Sequence, residues 1–229
     1  MTSLRIPARF NGPVGSGNGG VTCGELASLF PSGAVVQVTL RLPPPLETDL
    51  RIVQDGEIVQ ALDGDRLVAE AVAVPDRLEP VPGVNFETAS DAATRFDGFV
   101  SHPFTTCFVC GTERPDKDGL ALYAGAIVPG EPSRVATGFV PRDDVDTDST
   151  LVWAALDCPG GWSIGLIGRR AVLGRMTARI DDIPAIGEQC VVTAECDGWD
   201  GRKAFSRSSA YGQDGRLLGT AKATWIELR

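Results

Sequence analysis

The sequence predicts an α+β protein in which one unit, an apolar helix followed by a meander of antiparallel strands, is written twice. Three observations carry the prediction. Val38-Thr39-Leu40-Arg41-Leu42 recurs as Met176-Thr177-Ala178-Arg179-Ile180, and Asp65-Arg66-Leu67-Val68-Ala69-Glu70-Ala71-Val72-Ala73 is echoed by Gly215-Arg216-Leu217-Leu218-Gly219-Thr220-Ala221-Lys222-Ala223. In each half an apolar segment of helical character precedes the first of these recurring stretches. Alternating strand patterns fill the space up to the second. The identities are few, and it is their order that makes the repeat; it predicts two antiparallel sheets, each wrapped around a central helix.

The first unit, residues 1–80, enters its helix at Asn18-Gly19-Gly20, with Asn18 as the N-cap. Cys23, Leu26, Ala27 and Phe30 then recur at the spacing of one helical face, and Pro31 with Gly33 ends the helix. Strands are expected at 34–42, 48–55, 57–62 and 66–74, the middle pair joined by the turn signal Asp55-Gly56. Residues 75–118 are rich in Pro, Gly and charge and show no period, so 81–118 reads as a linker or lid. In the second unit, 119–229, Ser149 or Thr150 caps the apolar stretch Leu151 to Leu156, and Pro159-Gly160-Gly161 either kinks the helix or restarts it. Strands follow at 171–180, 189–198, 203–211 and 217–226, with Gln213-Asp214-Gly215 as a hairpin turn.

Composition narrows the function. With 229 residues, 43% apolar and 22% charged, the chain can bury a core and is not disordered. Its net charge of −9 repels polyphosphate backbones, which argues against a nucleic-acid partner. No stretch approaches the roughly 18 apolar residues of a membrane helix, and the opening residues hold no apolar run of the signal-peptide kind, so no membrane partner and a cytoplasmic location are expected. Six cysteines in such a setting read as reduced thiols, mostly core residues. The single histidine, His102, leaves no two-histidine zinc motif.

The segment Phe10-Asn11-Gly12-Pro13-Val14-Gly15-Ser16-Gly17-Asn18-Gly19-Gly20, running into a helix, resembles the glycine-rich entrance to the central helix of hotdog-fold acyl-CoA thioesterases. The duplication is similar to the tandem, double-hotdog arrangement of the acyl-CoA thioesterase II type. The resemblance covers most of the chain outside 75–118. It implies a double hotdog whose halves are related by a pseudo-twofold, with the central helices side by side. It also implies an enzyme, a hydrolase of acyl-CoA or acyl-carrier thioesters; coenzyme A enters as part of the substrate and no cofactor is needed. Units of this kind commonly pair through edge strands or sheet faces, so a homodimer is a natural further assembly.

Asp157 is the most informative candidate. It lies in Val152-Trp153-Ala154-Ala155-Leu156-Asp157-Cys158, where burying an ionised carboxylate costs several kcal/mol without partners. If Gly20 and Thr150 are equivalent helix starts, Asp157 falls where Ala27 lies in the first half, the place where the resemblance puts the catalytic acid. The resemblance further implies a composite site in which Asp157 activates water or attacks the thioester. Backbone N–H groups at Asn18, Gly19 and Gly20 would then hold the developing oxyanion. Two alternatives stay open: Gly19 and Gly20 serve only close packing, and Asp157 caps a second helical piece starting at Pro159. Trp153 and Trp162 are candidates for an acyl pocket, and Arg169 and Arg170, with Arg114, Lys117 and Arg175, for coenzyme A phosphates.

The family pairs its Asp with a hydroxyl residue and a Gln on later strands, and here Ala223 or Thr224 stands where the Gln is expected. Thr177 and Thr224 with Asp157 suffice, or Asn11, Asn18 or Gln37 substitutes, or the site binds without hydrolysing. His102 with Cys107-Phe108-Val109-Cys110 has a zinc-like ligand spacing, but a fourth ligand is not evident and only Cys158 is a distant candidate. Thiols packing an ordered loop are the preferred reading, so no metal is expected. The leading function is therefore acyl-thioester hydrolysis. The alternatives are a non-catalytic acyl or acyl-CoA binding protein and a hotdog tailoring enzyme acting on another small carbonyl compound.

Overall fold

The structure is a computed structural model that describes residues 3–114 and 116–229. In the first half, helix α1 (Gly19–Ala27) is followed by β2 (Val36–Leu40), β3 (Leu50–Asp55), β4 (Ile58–Asp63) and β5 (Arg66–Ala73), after a short β1 (Ser3–Leu4). In the second half, α3 (Ser149–Ser163) is followed by β8 (Ala171–Ile180), β9 (Cys190–Asp200), β10 (Lys203–Tyr211) and β11 (Leu217–Glu227). Between them lie α2 (Phe86–Ala93), β6 (Gly125–Ala126) and β7 (Arg134–Phe139).

The expected helices and strands are present, and three expectations change. The two sheets are one: all eleven strands join in the order β1-β3-β4-β5-β2-β8-β11-β10-β9-β7-β6, because β2 pairs antiparallel with β8. Neither strand is left as an edge, which removes unpaired backbone groups at the centre of the molecule. Segment 81–118 is not a structureless linker. Asn85 caps α2 through Thr88 N, and Ala89 and Ala92 pack with Ala136 and Val191 in a small second core. Finally, α3 does not restart at Pro159, which lies inside the helix. It is one helix capped by Asp148, whose Oδ1 accepts from Leu151 N at 2.9 Å, rather than by Ser149 or Thr150.

The strand registers locate the repeat. Val38 faces Met176, Gln37 faces Thr177 and Thr39 faces Arg175, so the recurring segments meet each other across the β2–β8 seam. In the outer ladders Val38 pairs with Ala71 and Met176 with Ala223, which places Ala223 opposite the position of Ala71. The sequence echo had matched Ala71 to Ala221. A two-residue slip keeps side chains on the same face, so the hydrophobic pattern alone does not detect it.

The two helices cross in contact inside the curl of this sheet. α3 is buried from Leu151 to Ser163, which explains its apolar character on all sides. Glycine makes the crossing close. A Cβ on Gly20 would lie 2.6 Å from Asp157 Cβ and 2.9 Å from Ala154 Cα, and one on Gly24 would lie 2.8 Å from Thr150 Cα. No helix among the described residues is long and apolar enough to cross a membrane.

Candidate functional site

The site forms where the start of α1 meets the middle of α3. Asn18 caps α1, its Oδ1 accepting from Val21 N at 2.9 Å, and the preceding loop is closed by Asn18 N to Phe10 O and Gly12 N to Ser16 O. In the middle of α3, Asp157 is only 3% exposed. Its Oδ2 accepts from Gly20 N at 2.8 Å, and its Oδ1 is buried without a hydrogen-bond partner. Burial, the largest influence, pushes this carboxyl up to about 7, while the Gly20 amide and the Asn18 side chain oppose the rise. An interior position in an unbroken helix rules out the capping role considered for Asp157.

A cavity of about 410 Å³ opens beside this carboxylate. Its walls are mostly apolar, with Leu166, Leu173, Trp162, Trp225 and Phe104 among them, and Asp157, Asn18 and Gly19 reach it as polar groups. Gly19 stands at the first helical position, where an amide has no intrahelical acceptor. Gly20, by contrast, has its N–H committed to Asp157, so it is not a free oxyanion donor, which corrects that expectation.

Residues 102–110 form a further wall through His102, Phe104, Cys107 and Cys110. Arg114 anchors this segment. Its guanidinium donates to Asn11 Oδ1 at 2.8 Å, to Thr106 O at 2.6 Å, to Arg9 O at 2.9 Å and to Asp118 Oδ1 at 2.7 Å. Asn11 is thereby held between Arg114 and Thr106, and neither it nor Arg114 is turned to the cavity. Phe108 N also donates to Asn11 O, and the Phe108 ring packs edge-on to Phe10 at 4.8 Å.

The segment brings Cys107 and Cys110 to Cys158 on α3, with the three sulfurs within 4.8 Å of one another. Cys107 and Cys158 are 3.7 Å apart, and Asn18 Nδ2 lies 3.7 Å from the first and 3.9 Å from the second. Hydrogen bonds from Cys110 and Cys158 hold the Cys107 thiol well below the usual thiol range and push both donors up. His102 does not join them. Phe104 N donates to its Nδ1, which leaves the proton on Nε2 to donate to Cys110 O, both at 3.0 Å. With both nitrogens engaged, the ligand set His102–Cys107–Cys110 is not formed. Cys158, the distant candidate, is the third group beside Cys107 and Cys110.

Other expected residues lie elsewhere. Trp153 is buried against α1, whereas Trp162 reaches the cavity. Thr177 is buried on β8 beside Gln37, and Thr224 is half-buried on β11; neither lines the cavity, and nor does Ala223. Arg169 stacks on Trp199 at 4.7 Å, and Arg170 is exposed outside the cavity. Arg41 is the arginine that reaches the cavity wall. It sits in the recurring segment Val38–Leu42, a signal that sequence reasoning used for the fold and not for the site.

No protein-family model matches the sequence, and no curated protein matches it. Solved structures do match. A tesB protein of Mycobacterium avium subspecies paratuberculosis superposes with a TM-score of 0.62 at 17% identity, over 99% of this chain and 91% of that one. A hot dog fold protein of unknown function from Alicyclobacillus acidocaldarius gives 0.64 at 12% identity, over 99% and 92%. The acyl-CoA thioesterase II TesB2 of Mycobacterium marinum gives 0.55 at 10% identity, over 95% and 91%. At these identities the likeness speaks for architecture: over nearly its whole length this chain has the hotdog fold of the TesB-like proteins.

Proposed function

We propose that this protein hydrolyses an acyl thioester, with Asp157 activating water and the start of α1 receiving the carbonyl oxygen. One observation carries the reading: a buried carboxylate, fixed through one oxygen by Gly20 N and free at the other, borders an apolar cavity of about 410 Å³. An acyl chain lies along Leu166, Leu173 and Trp225, with its carbonyl oxygen toward the Gly19 amide. Asp157 takes a proton from water as the water oxygen attacks the carbonyl carbon. The tetrahedral oxyanion collapses, the C–S bond breaks, and the thiolate leaves with the proton held by Asp157. The products are a carboxylic acid and a thiol. The name of one solved neighbour, the acyl-CoA thioesterase II TesB2, supports the reaction class.

The two halves are read as related by a pseudo-twofold, supported at two separate places. Gly20 packs on Ala154 as Gly24 packs on Thr150, equivalent pairs when the helix starts Gly19 and Ser149 are aligned. On the sheet, the recurring segments pair around Val38 and Met176. The carboxylate of one half and the amide of the other then belong to a single composite site.

The test is turnover of short, medium, long and aromatic acyl-CoAs, followed by loss of thioester absorbance because a thiol reagent would react with the protein's own cysteines. Asp157→Asn keeps the shape and is expected to lower kcat by about 10²–10⁴-fold. Turnover unchanged in this variant refutes the role of Asp157. Thr177, Ala223 and Thr224 all lie off the cavity, which favours a second reading, non-catalytic acyl-CoA binding. Binding of acyl-CoA by the wild-type protein without turnover establishes it.

A further inference from the structure

The thiol cluster has no part in the hydrolysis just described. We propose that Cys107, Cys110 and Cys158 form a three-thiolate site for a thiophilic divalent cation, Zn²⁺ by preference, whose fourth position faces the cavity. Zinc–sulfur bonds of about 2.3 Å in a tetrahedron place sulfurs about 3.8 Å apart. The Cys107–Cys158 separation of 3.7 Å already has that length, and with every sulfur within 4.8 Å of the others the remaining edges need to close by no more than about 1 Å. Two ligands come from a Cys-x-x-Cys loop anchored by Arg114 and the third from a buried helix, so the site draws on two elements already held in place. A purely sulfur donor set selects soft cations over magnesium or calcium.

The surroundings fit a negatively charged metal centre. Three thiolates and a divalent cation carry a net charge of −1. Asn18 turns its amide N–H groups toward the Cys107 and Cys158 sulfurs, its orientation fixed because Oδ1 is occupied by Val21 N. Gly19, at the positive end of α1, borders the same cavity. On binding, three S–metal bonds replace three S–H bonds and the displaced protons pass to solvent, fewer where a thiol is already ionised. Among the described residues the cluster offers no fourth side chain, and both His102 nitrogens are engaged. Water or the sulfur of a cavity-bound thiol therefore completes the tetrahedron. Because the claim concerns metal uptake, it stands or falls separately from hydrolysis.

The test uses the full-length protein, reduced and stripped of metal under inert gas, titrated with Zn²⁺ against a chromophoric chelator and in parallel with Co²⁺. One equivalent of Zn²⁺ is expected. The cobalt form should show thiolate-to-metal charge transfer in the near ultraviolet and the intense visible bands of tetrahedral cobalt. Metal should also protect Cys107, Cys110 and Cys158 from alkylation, located by peptide mass, while leaving the other cysteines as reactive as before. Cys110→Ser and Cys158→Ala should abolish stoichiometric uptake, Asn18→Ala should weaken it about 10-fold, and Cys196→Ser should leave it unchanged. Failure of the reduced wild-type protein to take up zinc overturns the proposal, and this holds even if a variant does not fold. So does uptake that survives both cysteine substitutions, or a Cys107–Cys158 disulfide whose reduction yields no metal binding.

Discussion

α1 and α3 hold corresponding places in the two halves, and they contribute different kinds of group. α1 is nine residues long, carries Gly19, Gly20 and Gly24, and offers backbone amides and the capping side chain of Asn18. α3 is fifteen residues long, lies buried through most of its length, and supplies a carboxylate and a thiol. The difference follows from their crossing. Two helices in backbone contact cannot both keep side chains at the seam, and the one without them exposes its amides to the reactive groups of the other. The helix-and-meander order occurs twice, and its two helices bring unlike groups to the cavity.

The largest stability effect is expected at the seam between the two helices. Gly20→Ala and Gly24→Ala force a Cβ into α3 backbone and should each cost about 2–3 kcal/mol, despite the helix propensity that alanine gains. Urea denaturation measures this; variants within about 0.5 kcal/mol of wild type would show that the helices do not cross this closely. A second pair sharpens the contrast. Asn18→Ala and Asp148→Ala each remove a helix cap worth about 1 kcal/mol. Asn18→Ala alone should also reduce acyl-CoA turnover, because Asp148 does not line the cavity. Equal effects on activity would remove the distinction between the two helix starts.

The smallest effect is expected at the matching hairpins. Arg66 in the first half pairs with Asp63, whereas Arg216 in the second pairs with Asp182, Glu188 and Asp214. Glu188 also accepts from Ala185 N and Gln213 N, and the Arg216 guanidinium leads in holding its carboxyl down at about 2. A depressed carboxyl stabilises the fold above its ordinary value of 4.5, and that stability is lost as pH falls toward 2. Glu188→Gln should therefore lower stability at neutral pH by no more than about 1 kcal/mol, with the difference from wild type fading across that window. A difference independent of pH would assign the effect to the lost backbone contacts.

Much of the fold was legible because it depends on local pattern. Strands β8 and β10 fall where the alternation of 171–180 and 203–211 placed them, and Asn18 caps α1 as its chemistry requires. Helix α2 was missed because residues 86–93 are mostly small and polar: its apolar face is only Phe86, Ala89 and Ala92, too short and too weakly apolar to stand out in a segment rich in Pro, Gly and charge. β7 escaped because Arg134–Phe139 is a short strand that depends on pairing with β9 for its definition. At the site, Asp157 could be singled out from its apolar neighbours alone. The partnership of Cys158 with Cys107 and Cys110 could not, since Cys158 lies 48 positions after Cys110 in the chain.

By itself, then, the amino-acid sequence determined the duplicated helix-and-meander plan, the capped entrance to α1 and the oddity of a carboxylate in an apolar helix. These are properties of spacing and of transfer free energy, which act within a few residues. Only the tertiary structure decided that the sheets are continuous through β2 and β8, that Gly20 rather than solvent holds Asp157, and that three thiols converge beside it. Each of these depends on which distant segments pack together, and burial of the shared core settles that globally: the energy of a contact is set by the atoms that meet, not by their separation along the chain.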